Sequence, residues 1–174
     1  MKDNNKKDNK KNILGKSNKT KEHYISYVST IILVVIGVVL LILDQFSKNY
    51  FQANSYYFSW ISFHLVTNTG MSFGLLQGMT LVMVLVSIVF LFLIWYYRRE
   101  FEGGYSCLMF LTVGTLGNLI DRIFYGHVVD FVDLGWFPVF NLSDALISIG
   151  VAGLILMFAR QIYVERKEKK EKKR

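Results

Sequence analysis

Four apolar tracts, each close to the length of about 20 residues that a helix needs to cross a bilayer, constrain this chain more than any other feature. They run over 24–43, 80–97, 105–120 and 144–163. Charged residues make up 19% of the chain, yet they crowd outside these tracts instead of spreading over a surface as in a soluble domain. With 52% apolar residues and a single proline, the composition excludes an ordinary soluble domain. The expected fold is all-α and integral to a membrane, a bundle of four transmembrane helices.

Positive charge sets the expected orientation, because Lys and Arg near span ends resist translocation. Eight lysines precede Tyr24, eight Lys or Arg residues follow from Arg160 onward, and Arg98 and Arg99 occupy the turn between the second and third tracts. Only Lys48 and Arg122 fall in the two remaining loops. Both termini are therefore expected in the cytoplasm, in agreement with an even number of spans. The net charge of +7 points to anionic membrane lipids and away from nucleic acid, since each basic run abuts an apolar span. Three regions follow: a disordered basic tail over 1–22, a four-span domain over 23–164 and a charged tail over 165–174. The first tract lacks a small-x-small cleavage site before Asp44 and reads as a retained span. Cys107, the single cysteine, has no partner for an intramolecular disulfide and reads as a small core residue.

The two loops opposite the basic ends are expected at 44–79 and 121–143. In the first, Ile61, Phe63 and Leu65 alternate with Ser62 and His64, the period of a short strand with one apolar face. Trp60 and Trp136 fall where interfacial aromatics belong, so a small strand-rich platform is expected on the outer headgroup region.

Polar side chains at the edge of an apolar span cost several kcal/mol unless they are paired or face a wet cavity, so each needs a reason. In the third tract Gly114, Asn118 and Asp121 share one helical face, flanked by Gly117 and Arg122. The glycines alone read as helix packing. Asp130 sits between apolar neighbours in Val128-Val129-Asp130-Phe131, and fourteen residues later Asp144 opens the fourth tract, where Asn141 or Ser143 can cap the helix. As a pair, Asp130 and Asp144 can meet. Two carboxylates in a partly dry site cannot both ionise, which suits general acid and base catalysis; ion binding is the rival reading. Asp133 reads as a solvated loop charge. Asp44 and Lys48 read as a local ion pair at i and i+4, and Asn68 to Gly74 as a turn. His64 and His127 are too few and too separated to hold a metal. No Ser-His-Asp arrangement, H-E-x-x-H helix, phosphate loop or G-x-S-x-G elbow is present. A small ion transporter would need a polar path to the cytoplasmic face, and the cytoplasmic halves of the four tracts are almost wholly apolar.

Five motifs, DQFSK at 44–48, NTGMSFG at 68–74, GNLIDR at 117–122, VVDF at 128–131 and FNLSD at 140–144, stand in order between the four spans. In this the chain resembles bacterial lipoprotein signal peptidase, or signal peptidase II, over 24–163. The resemblance implies a four-helix membrane bundle with a small extracytoplasmic β-cradle, located in the bacterial cytoplasmic membrane. It implies an aspartic endopeptidase that cuts diacylglyceryl-modified prolipoproteins immediately before the lipidated cysteine. Asp130 and Asp144 match the family's catalytic aspartates. Asn68, Gly114, Asn118, Arg122 and Asn141 match positions that shape the site and bind substrate, while Asp44, Lys48 and Asp121 lie in supporting motifs. Met71-Ser72 replaces the family's usual pair of alanines, and Ser143-Asp144-Ala145 its usual Ala-Asp-Ser, changes that bear on the pocket's shape. The expected partners are prolipoprotein substrates and membrane lipids, with no obligate protein partner, no nucleic acid and no metal or organic cofactor. Cleavage is accordingly expected to survive chelators, and its loss on adding EDTA, with recovery on adding a divalent metal, would contradict that expectation.

Overall fold

The computed structural model describes residues 2–70, 76–101 and 103–172, with side chains from residue 27 onward. The altered pair at 71 and 72 lies outside the described residues. Four long helices dominate, α1 (Lys2–Ala53), α2 (Thr80–Tyr97), α3 (Tyr105–Tyr125) and α4 (Leu142–Glu171), joined by three short strands, β1 (Tyr56–Tyr57), β2 (Ser62–Asn68) and β3 (Val128–Asp133). The chain divides into two compact units, one ending at Ile36 and one beginning at Gly37. The first is helical throughout its described backbone, including the stretch whose composition predicts disorder. No proline interrupts that stretch, so nothing in it forbids continuation of the helix.

Among the described residues four helices are long and apolar enough to cross a membrane: Tyr27–Ala53, Thr80–Glu100, Tyr105–Tyr125 and Leu142–Glu171. Two of them run further than the apolar tracts predict. α1 continues through Asp44 and Lys48, and α3 through Asp121 and Arg122, so charges expected in loops lie on the last turns of helices. Their burial within the protein makes this possible: Asp44 is 0% exposed, Lys48 2% and Asp121 1%.

From Gly37 onward, α3 is the central element. Half of its most apolar window is buried in protein, against 6% for α2. Leu81 on α2 and Leu156 on α4 stay more than 70% exposed, an arrangement that suits hydrocarbon and would be unfavourable in water. Glycines bring α3 and α4 close together at several points along their seam. A Cβ on Gly114 would come within 2.4 Å of the Ser143 carbonyl oxygen and 3.1 Å of the Ile147 nitrogen, so backbone packs on backbone here. This is the helix-packing role expected of the glycine alone.

The strands form one antiparallel sheet in the order β1-β2-β3. β2 pairs with β3 through Val66 opposite Asp130 and Asn68 opposite Val128, with an irregularity between Phe63 and Val66. The alternation expected along β2 stops at that bulge, and Leu65 turns outward to 42% exposure. Phe51 on α1 stacks on Phe131 of β3 at 4.6 Å and on Phe63 of β2 at 5.3 Å, which fixes the sheet to the end of α1. α3 stops at Gly126, whose φ of 75° is the left-handed conformation glycine adopts freely; its N–H closes on the Arg122 carbonyl. Thr80 Oγ1 donates to the Gly126 carbonyl, tying the start of α2 to the same end of the bundle.

Replacing Gly114 with alanine should destabilise the detergent-solubilised protein by about 1–3 kcal/mol, the usual range for overpacking, because backbone must move to admit the methyl group. Gly153→Ala, whose Cβ meets only the Cys107 side chain, should cost less. Thermal unfolding of both variants checks this, and equal midpoints would contradict it.

Candidate active site

A carboxylate at the edge of a membrane needs donors, and the local folding of two segments supplies them. Asn141 precedes α4 with extended backbone, and its side chain accepts from the Asp144 N–H at 3.0 Å. Asp144 Oδ2 in turn accepts from the Asn141 N–H at 3.2 Å, completing a capping box. Asp144 is thus a capping residue, as the sequence allows, and its Oδ1 stays outside the capping box. β3 brings in the second acid. Its pairing with β2 sets Asp130 beside the end of β2, where Asn68 Nδ2 donates to Asp130 Oδ2 at 3.0 Å.

The two acids meet across Asn141. Its side-chain Nδ2 donates to Asp130 Oδ1 at 2.6 Å while its backbone N–H donates to Asp144. Asn118, on α3, donates from Nδ2 to Asp144 Oδ1 at 2.8 Å. Its Oδ1 accepts from Asn141 Nδ2 at 3.1 Å and from Lys48 Nζ at 3.1 Å. Asp130 is 2% exposed, whereas Asp144 is half-buried. Burial, together with the charge of Asp144, pushes the Asp130 carboxyl up to about 7 against the opposing effect of the Asn68 and Asn141 amides and the Lys48 ammonium. An acid poised there can hold a proton at neutral pH.

Behind this pair lies a junction of three helices. Lys48 Nζ sits 2.9 Å from Asp44 Oδ2 and 3.0 Å from Asp121 Oδ2. The sequence presents Asp44 and Lys48 as a local ion pair; in the fold it is a buried three-charge cluster that reaches α3 and α4. The excess carboxylate charge is met by further donors. The Ser143 N–H donates to Asp44 Oδ1 at 2.8 Å and the Val129 N–H to Asp121 Oδ2 at 3.1 Å. Gln45 Nε2 lies within hydrogen-bonding range of Asp44 Oδ2, Asp121 Oδ1 and the Gly117 carbonyl. Gln45 has no role in the motif reading, although an amide flanking Asp44 at the end of an apolar span is itself a signal of internal pairing. Close approach of Asp44 also needs Gly117, where a Cβ would fall 2.5 Å from Asp44 Oδ2.

Arg122 faces the same end of the bundle. Its Nη2 donates to the Gly70 carbonyl at 2.8 Å, while Nε has no partner among the described residues. The Gly70 N–H closes back on Asn68 Oδ1 at 3.0 Å, so the start of the NTG turn is held on both sides. Asn68, Asn118, Arg122, Asp130, Asn141 and Asp144 thus converge. Gly114 does not join them, since α4 covers it. Asp133, expected to be solvated, is only 27% exposed at the end of β3, with Oδ2 3.9 Å from His64 Nε2 and Oδ1 accepting from the Gly135 N–H. The sheet pairing draws it inward.

The sequence matches the family model described as signal peptidase (SPase) II over residues 20–160. It is 42% identical over 104 residues to a lipoprotein signal peptidase of Halothermothrix orenii, covering 57% of this chain and 72% of that one. It is 36% identical over 140 residues to one of Caldanaerobacter subterraneus subsp. tengcongensis, covering 72% of this chain and 95% of the other. Among solved structures, a bacterial membrane enzyme determined by the in meso method at 2.3 Å resolution superposes with a TM-score of 0.70 at 26% identity, covering 75% of this chain and 88% of that one. A second, at 1.9 Å resolution, gives a TM-score of 0.64 at 27% identity over 72% of this chain and 91% of its own. A match of that extent, on a four-helix fold shared with solved membrane enzymes, makes this chain a member of the signal peptidase II family.

Proposed function

We propose that this peptidase is an aspartyl endopeptidase that removes signal peptides from diacylglyceryl-modified prolipoproteins, cutting immediately before the lipidated cysteine. The observation that carries the aspartyl mechanism is the bridge at Asn141, which donates to Asp130 through its side chain and to Asp144 through its backbone. The substrate class comes from the relatives, which are named lipoprotein signal peptidases.

In this reading Asp144 is the ionised base and Asp130 the acid. Asp144 receives two hydrogen bonds at the N-terminus of α4, where the helix dipole favours negative charge. It takes a proton from water as the water oxygen attacks the scissile carbonyl carbon. Asp130 gives its proton to the leaving amide nitrogen, the C–N bond breaks, and the new acid and amine termini separate. The amides of Asn68, Asn118 and Asn141 hold both carboxylates in place. Arg122, whose Nη2 holds the Gly70 carbonyl, is suited to orienting the substrate backbone beside the acids. The acyl chains of the substrate stay in the bilayer, and the membrane itself orients the peptide.

Topology completes the proposal. Arg98 and Arg99 lie at the opposite end of the bundle from Asp130 and Asp144, as does the basic end of α4. By the positive-inside rule that end is cytoplasmic, with both termini, and the acid pair faces the extracytoplasmic side.

Asp130→Asn and Asp144→Asn should each lower cleavage of a diacylglyceryl-modified prolipoprotein by about 100-fold or more, with membrane insertion intact. Gel analysis of shortened product by the detergent-solubilised protein measures this, and near-normal cleavage by either variant would refute the mechanism. The pH dependence carries a sign. With Asp144 assigned as the base, Asp130 keeps its proton below about 7 and loses it above, which leaves the departing nitrogen without a donor. The ratio kcat/KM should therefore fall as pH rises through about 7, and a ratio that climbs through that region would reverse the two assignments.

A further inference from the structure

Lys48 makes three contacts, one for each ammonium proton. Two are the carboxylates of Asp44 and Asp121; the third is Asn118 Oδ1 at 3.1 Å. The third contact reaches the acid pair. Asn118 Oδ1 faces two donors, Lys48 Nζ and Asn141 Nδ2, so its NH2 group is left to face Asp144 Oδ1 at 2.8 Å. A flipped amide would set NH2 against the ammonium and against Asn141, and would turn an oxygen toward the carboxylate. Both faces of the flipped state are repulsive.

We propose that Lys48 is a positioning residue for peptide cleavage, locking the Asn118 amide so that it donates to Asp144. Asp44 and Asp121 hold Lys48 in place from its own helix and from α3, and Gln45 bridges them. The inference rests on the peptidase reading above and adds a role for a side chain that is only 2% exposed. The charged groups around the acids are Lys48 and Asp44 from α1, Asp121 and Arg122 from α3, Asp130 from β3 and Asp144 from α4. Burial and Asp144 raise the Asp130 carboxyl, and among the charged groups the Lys48 ammonium acts against that rise.

The test uses full-length protein in detergent with a diacylglyceryl-modified prolipoprotein, comparing wild type, Lys48→Met, Asn118→Ala and the double variant. Lys48→Met should lower kcat about 100-fold, the usual cost of losing one aligned donor, with KM little changed. The alkaline limb of its pH profile should move to higher pH, because the cation that opposes proton retention on Asp130 is gone. In the Asn118→Ala background the Lys48 change should cost nothing further, since both act through one amide. Where Lys48→Met does not fold, Asp44→Asn/Lys48→Met removes one of the two orphaned carboxylate charges as well and is read in the same way. Wild-type kcat with an unmoved pH limb would overturn the inference, as would losses that multiply in the double variant. Failure of wild type to cleave at all would instead overturn the peptidase reading.

Discussion

A single ammonium held between two carboxylates inside a membrane bundle is the interaction on which this end of the molecule depends. Lys48 with Asp44 and Asp121 joins α1 to α3, and the Asp44 carboxylate reaches α4 through the Ser143 N–H. Removing one partner from such a cluster leaves an unpaired buried charge and costs about 3–5 kcal/mol. Its contribution is specificity of arrangement more than net stability, because helices in lipid gain no hydrophobic driving force from one another. Small residues let the backbones approach, and the charged cluster fixes how they are aligned.

That alignment has a chemical consequence. Asn118 and Asn141 stand between the cluster and the acids, and every polar atom of their two amides is committed to a partner. A fully satisfied network in a low-dielectric site holds its geometry without reorganising during reaction, the condition under which fixed dipoles are most effective. The sheet contributes the remaining piece. By stacking Phe131 and Phe63 on Phe51, it keeps β3 at the end of the bundle, and Asp130 with it.

Much of this was legible in the residues. Four apolar tracts fix the helices, and the acids and amides at their ends cannot be tolerated there without purpose, so Asp130, Asp144, Asn118 and Asn141 stand out at once. The strand at β2 was visible in its alternation. The charged junction was not. Asp44 and Lys48 at i and i+4 look like an exposed helical pair, and only the folded chain reveals that Asp121, 73 residues beyond Lys48, completes the group. Span ends were missed for the same reason: charges normally mark where a helix leaves the membrane, but here they are neutralised within the protein, so α1 and α3 continue past them. Gly114 shows the opposite limit, since a bare position beside a polar stripe is equally suited to a peptide or a neighbouring helix, and the neighbour is α4.

The central claim is that the two acids bridged by Asn141 carry one proton between them, on Asp130. Infrared difference spectroscopy of the detergent-solubilised protein during a pH titration reads this directly through the carbonyl stretch of a buried protonated carboxyl group. The account predicts a band present at acidic pH that disappears as pH rises through about 7 and that is missing from Asp130→Asn. A wild-type protein without such a band, or one that keeps it unchanged in Asp130→Asn, would contradict it.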